Sequence, residues 1–159
     1  MKKLLAAISA VSLLASVSVT AFAAEITQDT PAPKKSDAVI TTSIAPTYTV
    51  TIPADVTVNF NAETTKFGSI EVTADQIDPD KCIKVALTTD GELNNEVDSE
   101  KVIPYTVTAG GNVFTSATYL AVGDKTELTI NITADDWHKA YAGEYSDKVT
   151  FEVSYIDKV

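Results

Sequence analysis

From Thr47 onward, apolar residues recur at every second position in one segment after another. Side chains alternate between the two faces of an extended chain, so this period predicts β-strands with one apolar face each. Tyr48, Val50 and Ile52 fall on one side, and Thr47, Thr49 and Thr51 on the other. The same pattern groups Val56, Val58 and Phe60, then Ile70 and Val72, then Ile83, Val85 and Leu87. It resumes with Ile103, Tyr105 and Val107, with Leu128, Ile130 and Ile132, and with Val149, Phe151, Val153 and Tyr155. A polar loop is predicted over 88–101, and Gly110-Gly111 supplies a tight turn. The sum is about eight short strands. One apolar face per strand needs a second sheet to cover it. The predicted fold is all-β, an antiparallel immunoglobulin-like β-sandwich, with a closed barrel as the alternative.

The alternation breaks once, at Thr133-Ala134-Asp135-Asp136-Trp137-His138-Lys139-Ala140. Thr133 or Asp135 can cap backbone N–H groups, and acids precede Lys139 as the helix dipole favours. A short helical turn near 135–141 follows, with Gly143 as the exit. Tyr145 then opens the last strand and can return its hydroxyl to the preceding loop, as in a tyrosine corner. Trp137, Tyr141 and Tyr145 are the candidate ligand-binding residues. They could form an aromatic platform for a sugar ring, or Trp137 could plug the end of the sandwich beneath the corner.

The chain opens with Met1-Lys2-Lys3, an apolar run to Val19 and Ala21-Phe22-Ala23. A short positive start, an apolar stretch and small residues two apart are the pattern of a secretory signal peptide, so residues 1–23 are expected to be cleaved. Residues 24–37 are polar, contain Pro31 and Pro33, and read as a flexible arm. Residues 38–159 make one domain. The single cysteine, Cys82, excludes an internal disulfide, so packing must hold the domain together. Once Lys2 and Lys3 are removed, ten lysines face 22 acids, a net charge of −12, and there is no arginine. Nucleic acids and anionic membranes are poor partners for such a surface. No transmembrane segment is expected in the mature chain, and its location is expected to be extracellular, free or held non-covalently at the cell surface.

Chemistry-bearing residues are sparse. The only histidine, His138, is expected on the exposed side of the helical turn, and Cys82 heads a strand. No nucleophile–base pair is legible, and zinc would lack nitrogen and sulfur ligands. Asp75, Asp78 and Asp80, and the acids of the 88–101 loop, are plentiful enough for calcium but match no EF-hand spacing. No catalytic residue, metal or cofactor is expected.

Trp137, Ala142-Gly143-Glu144-Tyr145-Ser146-Asp147 and the alternating 149–155 run together resemble the closing signature of exported bacterial β-sandwiches. Spore-coat-protein-U-like, pilin-related domains and the WxL surface domains of Gram-positive bacteria end similarly. Where WxL domains carry Trp-x-Leu, this chain reads Phe151-Glu152-Val153, so their mode of wall attachment is not carried over. The resemblance implies a non-enzymatic surface or matrix component. Its expected partners are a cell-envelope or extracellular protein, a glycan, or another copy. The polar arm does not suit strand donation to a neighbour, and residues 39–44 are expected to lie in the chain's own sheet. A carbohydrate-binding module is the alternative function, and a hydrolase using loop carboxylates the third.

Overall fold

A computed structural model of the chain describes residues 25–158, so the expected signal peptide lies outside the described residues. Residues from Ile44 onward form one compact unit. Its elements, in chain order, are β1 (Thr47–Thr51), β2 (Thr64–Gln76), β3 (Lys81–Thr88), β4 (Glu92–Asn95), β5 (Val102–Pro104) and β6 (Thr106–Ala109). They continue with β7 (Asn112–Val113), β8 (Ser116–Tyr119), β9 (Lys125–Asn131), α1 (Ala134–Lys139), β10 (Tyr145–Ser146) and β11 (Thr150–Asp157).

The fold is an all-β antiparallel sandwich with one short helix. A five-stranded sheet runs β1-β2-β9-β6-β7, and two three-stranded sheets run β11-β3-β8 and β10-β4-β5. Each sheet is open at both ends, so no barrel closes. The alternation sets the register: Ile70 and Val72 on β2, Ile83 and Val85 on β3, and Leu128 and Ile130 on β9 all point into the core. Burying each such side chain contributes about 1.5–3 kcal/mol. The β6–β7 hairpin turns on Gly110 and Gly111 with both φ angles positive, 55° and 84°, as a two-residue turn matched to strand twist requires.

Three expectations need correction. Val56, Val58 and Phe60 do not form a strand: the chain leaves β1 at Thr51 and no ladder resumes until Thr64. Pro53 has no N–H to give a ladder and lies against Gly68, where a Cβ would meet the proline at 3.2 Å. The 88–101 loop is interrupted by β4, which pairs with both β5 and β10. Its Asn95 is buried, and its side-chain oxygen accepts from the N–H groups of Val97 and Asp98 at 2.9 and 3.1 Å. The polar composition of that stretch masked a strand held by a buried amide. Residues 39–44 lie in no sheet, and Val39 and Ile40 are 87% and 97% exposed. Pro46, just before β1, has no N–H to give a ladder that would reach back into this stretch.

Candidate binding groove

Because residues 52–60 leave the sheet, the sandwich is uncovered along one side. A groove of about 1140 Å3 opens there. One wall is the 52–60 stretch, and the other is the end of α1 with residues 140–149. Phe67, Leu93, Ile130 and Phe151 supply its apolar lining from the strands, and Tyr105 from the junction between β5 and β6. Both walls carry backbone outside any ladder. Among the described residues, no backbone–backbone hydrogen bond joins residues 53–58 or 147–149 to another segment, and the Lys148 N–H is held by the Asp147 side chain. The other exposed groups there must be satisfied by water or by a ligand.

The second wall is built by α1 and the loop after it. Thr133 is the N-cap: its hydroxyl oxygen accepts from the Asp136 N–H at 3.1 Å. The helix swings Trp137 inward, where the ring is 8% exposed. Its indole N–H donates to the Ala62 carbonyl at 3.1 Å. Phe60 packs edge-on against it, with centroids 5.7 Å apart and planes at 82°. Trp137 thus ties the end of the 52–60 wall to α1.

The chain then turns through Gly143 at φ 152°, where a Cβ would lie 2.4 Å from the Asn95 side-chain nitrogen. Glycine is required for that close approach and that backbone geometry. The Glu144 carbonyl accepts from the Glu96 N–H at 2.9 Å, holding the wall to the end of β4. The Tyr145 hydroxyl donates to the Tyr141 carbonyl at 3.0 Å, the bond expected of a tyrosine at this corner.

A second clasp holds the far end of this wall. Asp147 accepts from the Tyr105 hydroxyl and, at 3.1 Å, from the Thr89 hydroxyl. Burial first, and the Asp147 contact second, hold the Tyr105 phenol well above its ordinary pKa. Three segments far apart in sequence therefore meet beside the groove.

Trp137, Tyr141 and Tyr145 all border this groove, but they do not present one open face. Trp137 is buried, Tyr145 is half-buried, and Tyr141 is 64% exposed with the Lys101 ammonium 5.2 Å from its ring centroid. Phe60, absent from the sequence-derived set, is 76% exposed at the mouth. Its signal was an aromatic residue ending an alternation that follows Pro53. The charged lining is Asp55, Glu144, Asp147 and Lys148, an acidic balance.

The remaining chemistry-bearing residues are placed elsewhere. Cys82 is buried on β3 opposite Ile156, and His138 is exposed on α1. Asp90 and Asp98 accept from nearby backbone N–H groups, and Asp78 binds the Tyr155 hydroxyl. Among the described residues, no group of three or more His, Cys, Asp or Glu side chains is arranged to hold a metal. No helix among them is long and apolar enough to cross a membrane. No protein-family model matches the chain, and no curated protein matches it.

Proposed function

We propose that this is an exported, non-enzymatic surface or matrix component that acts by binding an extended polypeptide in its groove. One observation carries the reading: an apolar, aromatic groove is flanked by exposed backbone at 53–58 on one side and around Asp147 and Val149 on the other that no backbone ladder takes up. A bound extended chain could satisfy those groups while its side chains cover the apolar lining, as in other peptide-recognition grooves. The leader-like start and the acidic, arginine-free composition support action outside the cell.

Random peptides displayed on phage and selected on the mature protein test this. Enrichment of extended apolar sequences, lost when Tyr141→Ser and Phe60→Ser are introduced together, is the expected result. No enriched sequence, or enrichment indifferent to both substitutions, contradicts it. The exposure of Tyr141 and Phe60 favours one second reading, a glycan chain stacking on these rings. Binding on an oligosaccharide array without any peptide enrichment would select that reading.

A further inference from the structure

We infer that the open edge of β11 pairs with the same edge of a second copy, antiparallel, about a twofold axis at Val153. Two β11-β3-β8 sheets would then run on as one. This joint goes beyond the groove reading and does not depend on it.

A sheet edge presents a row of N–H and C=O groups that another chain can take up, and monomers guard their edges with short strands, prolines and bulges. The other edges of this molecule are guarded in that way. β7 and β10 have two residues each, β8 has four, and β5 has three and ends at Pro104. β1 lies between Pro46 and Pro53, and its register slips between Thr49 and Val50. The part of β2 beyond β1 has a register shift between Lys66 and Gly68, with Pro53 packed against Gly68. β11 has none of these devices. Its eight residues, without proline or glycine, hold an unshifted register against β3 from Thr150 opposite Thr88 to Asp157 opposite Lys81. In such a ladder, half the backbone groups of an edge strand face away from its neighbour. Among the described residues, no backbone hydrogen bond outside the β3 ladder engages the N–H groups of 150–157.

The sequence of β11 fits its own copy. With Val153 on the axis, Phe151 stands opposite Tyr155 of the second copy, Glu152 opposite Ser154, and Thr150 opposite Ile156. The register with β3 extends these pairs into rows across the joint. On the core face, Ile83 and Tyr155 lead into Phe151 and Leu87 of the second copy. Val85 and Val153 meet the same two valines, which covers a Val153 side chain that is 36% exposed. On the outer face, Lys84 and Ser154 lead into Glu152 and Ala86 of the second copy. Two strand spacings, about 10 Å, separate Lys84 from that glutamate, within the joint reach of the two side chains over a small serine. Neither Lys84 nor Glu152 has an ion-pair partner among the described residues. Twofold symmetry makes this pair twice, which offsets the repulsion between two acidic copies. Centring on Glu152 would set two carboxylates face to face. Centring on Ser154 would bring the two Lys84 side chains together and set Phe151 against Asp157.

Sedimentation of the mature chain over a concentration series tests the joint, and a monomer–dimer equilibrium is the expected result. Glu152→Lys and Lys84→Glu should each raise the dimer dissociation constant about tenfold, since each turns two attractions into repulsions. The double reversal Lys84→Glu/Glu152→Lys should return it close to the wild-type value. Tyr141→Ser with Phe60→Ser, at the groove, should leave it unchanged. In a Cys82→Ala background, Val153→Cys should give a disulfide-linked dimer under mild oxidation, and Thr118→Cys on the opposite edge strand should not. Hydrogen exchange of the unaltered protein supplies a reading that no variant has to fold for: amides of β11 should slow as concentration rises. A monomer at every concentration, a dimer that the double reversal fails to restore, or one that Val153→Cys fails to lock would overturn the joint. A dimer lost with the Tyr141 and Phe60 substitutions would place the contact in the groove and also overturn it. Peptide selection tests the groove separately, so either reading can fall without the other.

Discussion

Gly143 carries a large share of the second wall. A methyl group there would collide with the Asn95 amide and would hold φ at 152°, where residues with a Cβ are strained. Gly143→Ala is expected to cost about 2–3 kcal/mol, read as a lowered urea midpoint. Tyr105 is the matching residue at the other end. Tyr105→Phe removes the hydroxyl that Asp147 accepts from and should cost about 1–2 kcal/mol. It should also change the alkaline limb of stability. The Tyr105 phenol is raised in the folded state, so its contribution is complete below the unfolded value, about pH 10. It is lost as pH rises from there toward the folded value, because the unfolded chain ionises first. The wild type is therefore expected to lose stability above about pH 10 more steeply than Tyr105→Phe, as denaturation at several pH values would show. The Tyr145 corner was readable in advance because Gly-x-Tyr before a strand dictates it locally. The Tyr105–Thr89–Asp147 clasp was not readable, because its members are brought together only by the sheets.

At the scale of elements, the strands with two-sided support were legible and the segment without it was not. Ile70, Val72, Leu128 and Ile130 alternate because both neighbours in the sheet hold them in register. Val56, Val58 and Phe60 alternate equally well, yet they have no ladder. Period-two patterning reports that a chain can be extended with one apolar face, not that a partner strand is present. Pro53 was the counter-signal, with Gly68 receiving it. The helix was legible from its cap: Thr133→Ala should cost about 1 kcal/mol and speed amide exchange within α1. Trp137 gives an independent reading of how α1 meets the 52–60 stretch. As the only tryptophan, buried and covered by Phe60, it should resist acrylamide quenching. Phe60→Ala should raise the quenching constant several-fold with little change in far-UV circular dichroism. Equal quenching in both proteins would mean that the wall does not rest on this contact.

For the molecule as a whole, composition excluded partners more readily than it identified one. A formal net charge of −10 disfavours association of copies except where local complementarity overcomes it. The acidic lining of the groove, Asp55, Glu144 and Asp147 against Lys148, is not visible in the net charge. Sequence patterning also could not show that the sandwich is open along one side, since that follows from where 52–60 leaves the sheet. The central claim is that this opening is a groove for an extended polypeptide, with wall backbone outside any ladder. Hydrogen exchange followed by mass spectrometry, with and without a peptide selected on the protein, tests it most directly. Without peptide the amides of residues 54–58, 147 and 149 should exchange far faster than those of β2, β3 and β9, and they should slow markedly when the peptide is added. Slow exchange in both stretches without peptide, or no slowing when a bound peptide is present, would contradict the account.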